Sequence, residues 1–247
     1  MEQTLPLSKS VRVRQNIAAG LLVATNLFWL VAAPLQLVGV NLMAIPFAEL
    51  IVGLVFAASW LLLCTVASNK AVRVASIIII ACCLIKLVMP LIANVVCASL
   101  PDLSEMDRMN IIGKINLIFY MIRAIFMVYA YSLILNSGSE IDENDRSWIV
   151  VLIVFMAQSI FLFRWLLAGT MLVWSIWIVA YYILMLIAEF RLAKCAAFTG
   201  NYDSGIVPKG AYSPLNRYFA GVLIAAVLVS ALLMLIAHYR EAIENIF

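Results

Sequence analysis

Charged residues make up only 12% of this 247-residue chain, and it has a single histidine, His238. Ordinary soluble domains are about a quarter charged, so this shortage removes the soluble globular class. One histidine excludes a two-histidine metal or haem centre within a single chain, and with it the intramembrane zinc hydrolases. A Gly-x-Ser-x-Gly elbow and a Cys-x-x-Cys pair are both missing. The stretch from Gly205 to Lys209 lacks the spacing of a phosphate-binding loop. Residues 217 to 239 contain no lysine, which a retinal Schiff base would need. There is no internal repeat of the kind many transporters carry. No metal, cofactor, catalytic set or nucleic-acid partner is expected.

Cysteine is sparse as well, with five residues. Cys64, Cys82, Cys83 and Cys97 lie in apolar runs, where a thiol behaves as a small hydrophobe, so a disulfide framework is not expected. Cys195 differs, following Arg191 and Lys194 at the end of such a run, a place where thiols are acylated in some organisms.

What the chain has in abundance is apolar residues, at 66%. A helix needs ~20 mostly apolar residues to cross the hydrocarbon core. Runs of that kind fall at 17 to 39, 46 to 68, 72 to 99, 110 to 136, 147 to 167, 170 to 190 and 217 to 239. Lipid cannot satisfy exposed backbone, and the runs lack the alternation of barrel strands. The expected fold is therefore all-α, a polytopic transmembrane helix bundle of seven spans. The first run also fits a signal peptide, since Lys9, Arg12 and Arg14 precede it, but it is longer than an h-region and Pro34 follows the small residues Ala32 and Ala33 directly.

Lys and Arg near span ends set the orientation, because positive residues stay cytoplasmic. With the N-terminus inside, the cytoplasmic segments hold Lys9, Arg12, Arg14, Lys70, Arg73, Arg146, Arg191, Lys194, Lys209 and Arg217. The outer segments hold Arg108, Lys114 and Arg240, so the bias is ten to three for N-in. Only Leu167, Ala168, Gly169 and Thr170 separate the fifth and sixth runs. If Gly169 does not turn the chain, one long helix and six spans result. The organisation is then a cytoplasmic basic tail (1–16), the bundle (17–239) with a cytoplasmic loop at 191–216, and a short outer tail (240–247). That loop holds Phe198, Tyr202 and Tyr212 with three basic residues, Arg191, Lys194 and Lys209, a composition for anionic lipid or a docking partner, or for a plain connector. Asp145 is placed to cap the helix that Trp148 opens. The pattern Gly53-x-x-x-Ala57, like Gly221-x-x-x-Ala225, permits close helix contact within the chain or between copies, so a homo-oligomer or membrane complex is open.

Ionisable residues inside spans are costly in hydrocarbon and default to functional candidates. Glu49 and Arg164 fall near outer ends and are expected to pair. Glu189 reads as an inner-end charge. Lys86 and Arg123 fall near mid-depth on adjacent antiparallel helices, with no acid expected at their level. Helical spacing puts Asn94 on the face of Lys86, and Asn116 and Tyr120 on the face of Arg123. Two such cations would repel at low dielectric, so water or an anion is needed between them. The expectation is a channel-like or carrier-like protein of the bacterial inner membrane that binds or passes an anionic solute or lipid headgroup near Lys86 and Arg123. The alternatives are a non-catalytic scaffold docking a partner through 191–216, and an enzyme on a lipid phosphate with Glu49, Glu189 or His238 as base.

Overall fold

Among the described residues of the computed structural model, six α-helices run in alternating directions: α1 (Lys9–Leu37), α2 (Ala48–Thr65), α3 (Lys70–Ala98), α4 (Glu105–Asn136), α5 (Glu143–Ala168) and α6 (Met171–Lys194), followed by a 3-10 turn, Ala196–Phe198. The structure describes residues 9–37, 39–40, 42, 47–99, 104–136, 141–168, 171–198 and 224, and side chains at all of these except 36–37, 94, 109–110, 117, 159–168, 171–175 and 196. The described residues contain no strand. Five helices are long and apolar enough to cross a bilayer: Lys9–Leu35, Ala48–Thr65, Lys70–Ala98, Glu105–Asn136 and Ile176–Lys194. The seventh run, apart from residue 224, and most of the 191–216 loop lie outside the described residues.

Polar side chains mark several helix starts. Asn69 caps α3, its side chain accepting from the Val72 amide at 3.0 Å. Ser104 caps α4, accepting from the Asp107 amide at 3.2 Å while its hydroxyl donates to the Asp107 carboxylate at 2.6 Å, so one orphan amide of the first turn is satisfied. Asp145 is not a cap: α5 begins at Glu143, and Asp145 binds Arg191 of α6 at 2.7 Å. Lys9 opens α1, and Gln15 within it is buried.

Each helix packs on its neighbours in sequence, and α6 returns to pack on α1, so the six close into a ring. α5 and α6 are separate and antiparallel. Phe155 and Trp177 stack with ring centres 4.1 Å apart, whereas one continuous helix would hold residues 22 positions apart at ~33 Å.

Among the described side chains, the ring is filled toward one side. The N-terminus of α1, the 66–69 turn, the start of α5 and the end of α6 share one face, tied by Arg191 to Asp145, by Lys194 to Asn16 and by the Ser68 amide to the Ala197 carbonyl at 2.8 Å. We call it the basic face. The fully buried large side chains, among them Trp60, Leu63, Tyr131, Ile134, Leu192 and Phe198, all belong to the halves of their helices nearest that face. Residues 195–198 are part of this core rather than an open connector, because Ala197 and Phe198 are fully buried and Phe198 meets Trp60 edge-on at 6.1 Å. Tight contact here is van der Waals in origin, as expected where lipid competes for apolar surface.

Toward the opposite face the ring opens because its helices are unequal. α2 has 18 residues and α3 has 29. Joined at the 66–69 turn, they end at different heights, and α3 rises roughly 16 Å past the start of α2 at 1.5 Å per residue.

Candidate functional site

The opening above α2 is a cavity of about 430 Å³ bounded by Glu49, Lys86, Pro90, Asn116, Tyr120 and Arg123, with Ile85, Met89, Gly113 and Phe119. Binding sites for small molecules occupy ~300–1,000 Å³. Three helices supply its polar groups. Glu49 stands in the first turn of α2, where Phe47 holds a left-handed backbone (φ 64°) and gives no side-chain cap, so the carboxylate faces the positive end of the helix dipole. Lys86 comes from mid-α3, four residues before Pro90, whose ring removes a helical amide. Asn116, Tyr120 and Arg123 recur at near-helical spacing on α4.

Glu49 accepts an ion pair from Lys86 at 3.0 Å. The expectation that no acid stands level with the two cations is corrected by this contact. The reason is register: Glu49 lies sixteen residues before Thr65 and Lys86 sixteen after Lys70, so both stand ~24 Å from their shared turn. The Lys86 ammonium also lies 4.3 Å from the centre of the Trp29 ring on α1, a favourable cation–π geometry. The side chain of Arg164, the expected partner of Glu49, lies outside the described residues, as does that of Asn94.

Arg123 is different. Among the described residues no carboxylate lies within ion-pair distance of it, and its Nε is buried without a hydrogen-bond partner, as is Asn116 Oδ1. Beyond Arg123 the cavity gives way to a pocket of about 20 Å³ lined by Tyr120, Arg123, Ala124, Met127, Met156 and Tyr181. That is room for about one water. Tyr181 borders this pocket, and Tyr182 beside it stacks on Trp29 at 5.7 Å.

A second polar centre escaped the sequence reading. Glu189, near the end of α6, is fully buried among its neighbours. Tyr131 OH donates to its Oε1 at 2.5 Å and Asn26 Nδ2 to its Oε2 at 2.8 Å. The Trp60 indole N–H lies beside the same carboxylate, without a hydrogen bond of strict geometry. Four helices converge there. The available signal was periodicity: Met185, Ala188, Glu189 and Leu192 share a face of α6, and all are buried.

No family model matches this sequence, and no curated protein and no solved structure matches it either. Chemistry must come from the site itself. No group of metal-ligating side chains occurs among the described residues. The five cysteines are free thiols, and Cys83 donates weakly to the Gly53 carbonyl at 3.1 Å. Gly53 makes that approach possible, since a Cβ there would stand 2.7 Å from a methyl of Leu87. This close contact therefore joins α2 to α3 within the chain, and Gly221 lies outside the described residues.

Proposed function

We propose that this chain is a carrier-like membrane protein that binds an oxyanion, as a free solute or a lipid headgroup, in the cavity between Lys86 and Arg123. The observation that carries this reading is Arg123, a guanidinium with an unsatisfied Nε and no acid within reach among the described residues, on the wall of a 430 Å³ cavity. Guanidinium forks bind planar oxyanions through paired, charge-assisted hydrogen bonds. Asn116 and Tyr120 add polar groups on the same helix. Lys86 and Glu49 nearly cancel, leaving the cavity about one net positive charge. Supporting the orientation is the ten-to-three charge bias, which puts the basic face in the cytoplasm and opens the cavity outward across a seven-span bundle of the bacterial inner membrane.

A carrier fits better than a channel, because the half of the ring nearest the basic face is filled by Trp60, Tyr131 and Phe198. The same filled half favours the runner-up, a scaffold docking a partner at its basic face. Sulfate and phosphate titrations of the purified protein, read by tryptophan fluorescence near Trp29, decide between them. Saturable binding by the wild type that weakens at least tenfold in Arg123→Met, with partial recovery in Arg123→Lys, supports the carrier. Vesicles containing phosphatidic acid test the headgroup source. If neither free oxyanions nor phosphatidic acid bind, the scaffold reading is preferred.

A further inference from the structure

Glu189 and Arg123 are two interior charges of opposite sign that no ion pair joins to any partner among the described residues. Glu189 is fully buried in a membrane span, yet no ammonium or guanidinium stands within bonding distance among those residues. A carboxylate so placed pays a large desolvation penalty when ionised. Its neighbours are neutral donors: Asn26 from α1, Trp60 from α2 and Tyr131 from α4. The titratable groups within electrostatic reach are Tyr131, Tyr181, Tyr182 and Cys83. On its own helix Arg191 is held by Asp145, and the 195–198 segment brings Cys195 and apolar residues only.

We propose that Glu189 is a proton-binding site coupled to the oxyanion cavity, so that anion binding and proton uptake favour one another. The inference rests on the cavity reading above. Arg123 precedes Tyr131 by eight residues on α4, ~12 Å along the helix. With the cavity empty, the uncompensated guanidinium favours an ionised Glu189. An anion at Arg123 cancels that field, and the carboxylate takes a proton.

The proton would enter from the cavity side, where the described pockets approach Glu189 without touching it. Arg123 lines both the large cavity and the one-water pocket, and Met127 in that pocket lies one turn before Tyr131. Toward the basic face, Trp60 and Phe198 close the way. Chemistry selects the oxygen that receives the proton. Asn26 Nδ2 can only donate, whereas the Tyr131 hydroxyl can donate or accept. The proton therefore bonds to Oε1, and the 2.5 Å contact persists with its polarity reversed, the carboxyl O–H now donating to the Tyr131 oxygen. The Tyr131 hydroxyl hydrogen, released from Oε1, turns away from the carboxyl, and the new O–H is the only covalent bond formed.

By linkage, anion binding raises proton occupancy and a lower pH tightens anion binding by the same factor. An interaction across ~12 Å at an effective dielectric of ~20 corresponds to roughly a tenfold change. The test adds sulfate, which does not titrate near neutrality, to the purified full chain in weakly buffered detergent with a pH dye. The expected result is uptake of up to about half a proton per sulfate bound by the wild type, the most that a tenfold coupling allows near the midpoint of the titration, and sulfate binding without uptake by Glu189→Gln. Binding to the wild type with no uptake and no pH dependence overturns the coupling, as does equal uptake by Glu189→Gln. Absence of sulfate binding overturns the cavity reading and the coupling with it. In that event infrared spectra across pH judge the proton site alone: a protonated-carboxyl band that Glu189→Gln removes sustains it, and a wild type without that band at every pH ends it.

Discussion

Lys86 and Glu49 meet at 3.0 Å although they come from different helices, and the contact leaves Arg123 as the charge that defines the cavity. Both members are partly exposed, with side chains 29% and 47% accessible. A pair of that kind stabilises by about 1 kcal/mol or less. Its larger effect is on the field in the cavity. Glu49→Gln should raise sulfate affinity on the order of tenfold, the effect of removing one negative charge at ~10 Å, and Lys86→Met should lower it. Isothermal titration checks both. Unchanged affinity in Glu49→Gln would show that the ion pair and the anion do not share a site.

Gly53 fixes how near α2 can come to α3. Its missing Cβ would sit 2.7 Å from a Leu87 methyl, and the Cys83 thiol already reaches its carbonyl. Gly53→Ala needs only a shift of a flexible side-chain end and should cost about 1 kcal/mol. Gly53→Val forces the helices apart, costs roughly 2–3 kcal/mol and tilts Glu49 away from Lys86. Thermal denaturation in detergent should rank wild type, Ala, Val, and Leu87→Ala should restore most of what Gly53→Ala loses.

The helices were legible in the sequence because apolar runs of membrane-crossing length admit one solution in lipid. Lys86 and Arg123 were legible as a pair because each sits far from its helix end. The level of Glu49 was not, since depth was counted from the loop after α3 while α2 and α3 are registered at the 66–69 turn. The burial of Glu189 was not legible for a related reason. Its closeness to Arg191 gave its position along the helix and not its face: Arg191 turns to Asp145 while Glu189, two positions earlier, faces the ring interior. Position along a span gives depth; only the helical face gives burial.

Cys195 lies just past α6, with 8% of its surface exposed, and burial pushes its thiol up to about 12. The reactive form is the thiolate. At pH 8 it should be present in roughly one molecule in ten thousand, against about a quarter for an ordinary cysteine. Maleimide should therefore label Cys195 slowly in the folded protein and rapidly after denaturation, which argues against an exposed acylation site. The sign of the linkage is fixed: a folded value above the unfolded one means stability is intact below pH ~9 and is lost as pH rises toward 12. Phe198→Ala, which empties the contact with Trp60, should destabilise by about 3 kcal/mol and speed labelling at neutral pH.

The hairpin of α5 and α6 decides how many times the chain crosses the bilayer, and the Phe155–Trp177 stack gives it a direct test. With ring centres 4.1 Å apart, cysteines at both positions would stand within reach of a short bifunctional crosslinker. The expected outcome, in a background with the five native cysteines replaced, is an intramolecular crosslink between Phe155→Cys and Trp177→Cys. It forms in the intact membrane and is independent of protein concentration. A control pair on one face of α5 separated by the same number of residues could not link, because a continuous helix spaces them ~33 Å apart. Failure of the 155–177 pair to crosslink, with both thiols shown to be reactive, would mean that Gly169 does not turn the chain. α6 would then no longer return to α1, and the ring that encloses the cavity would be lost with it.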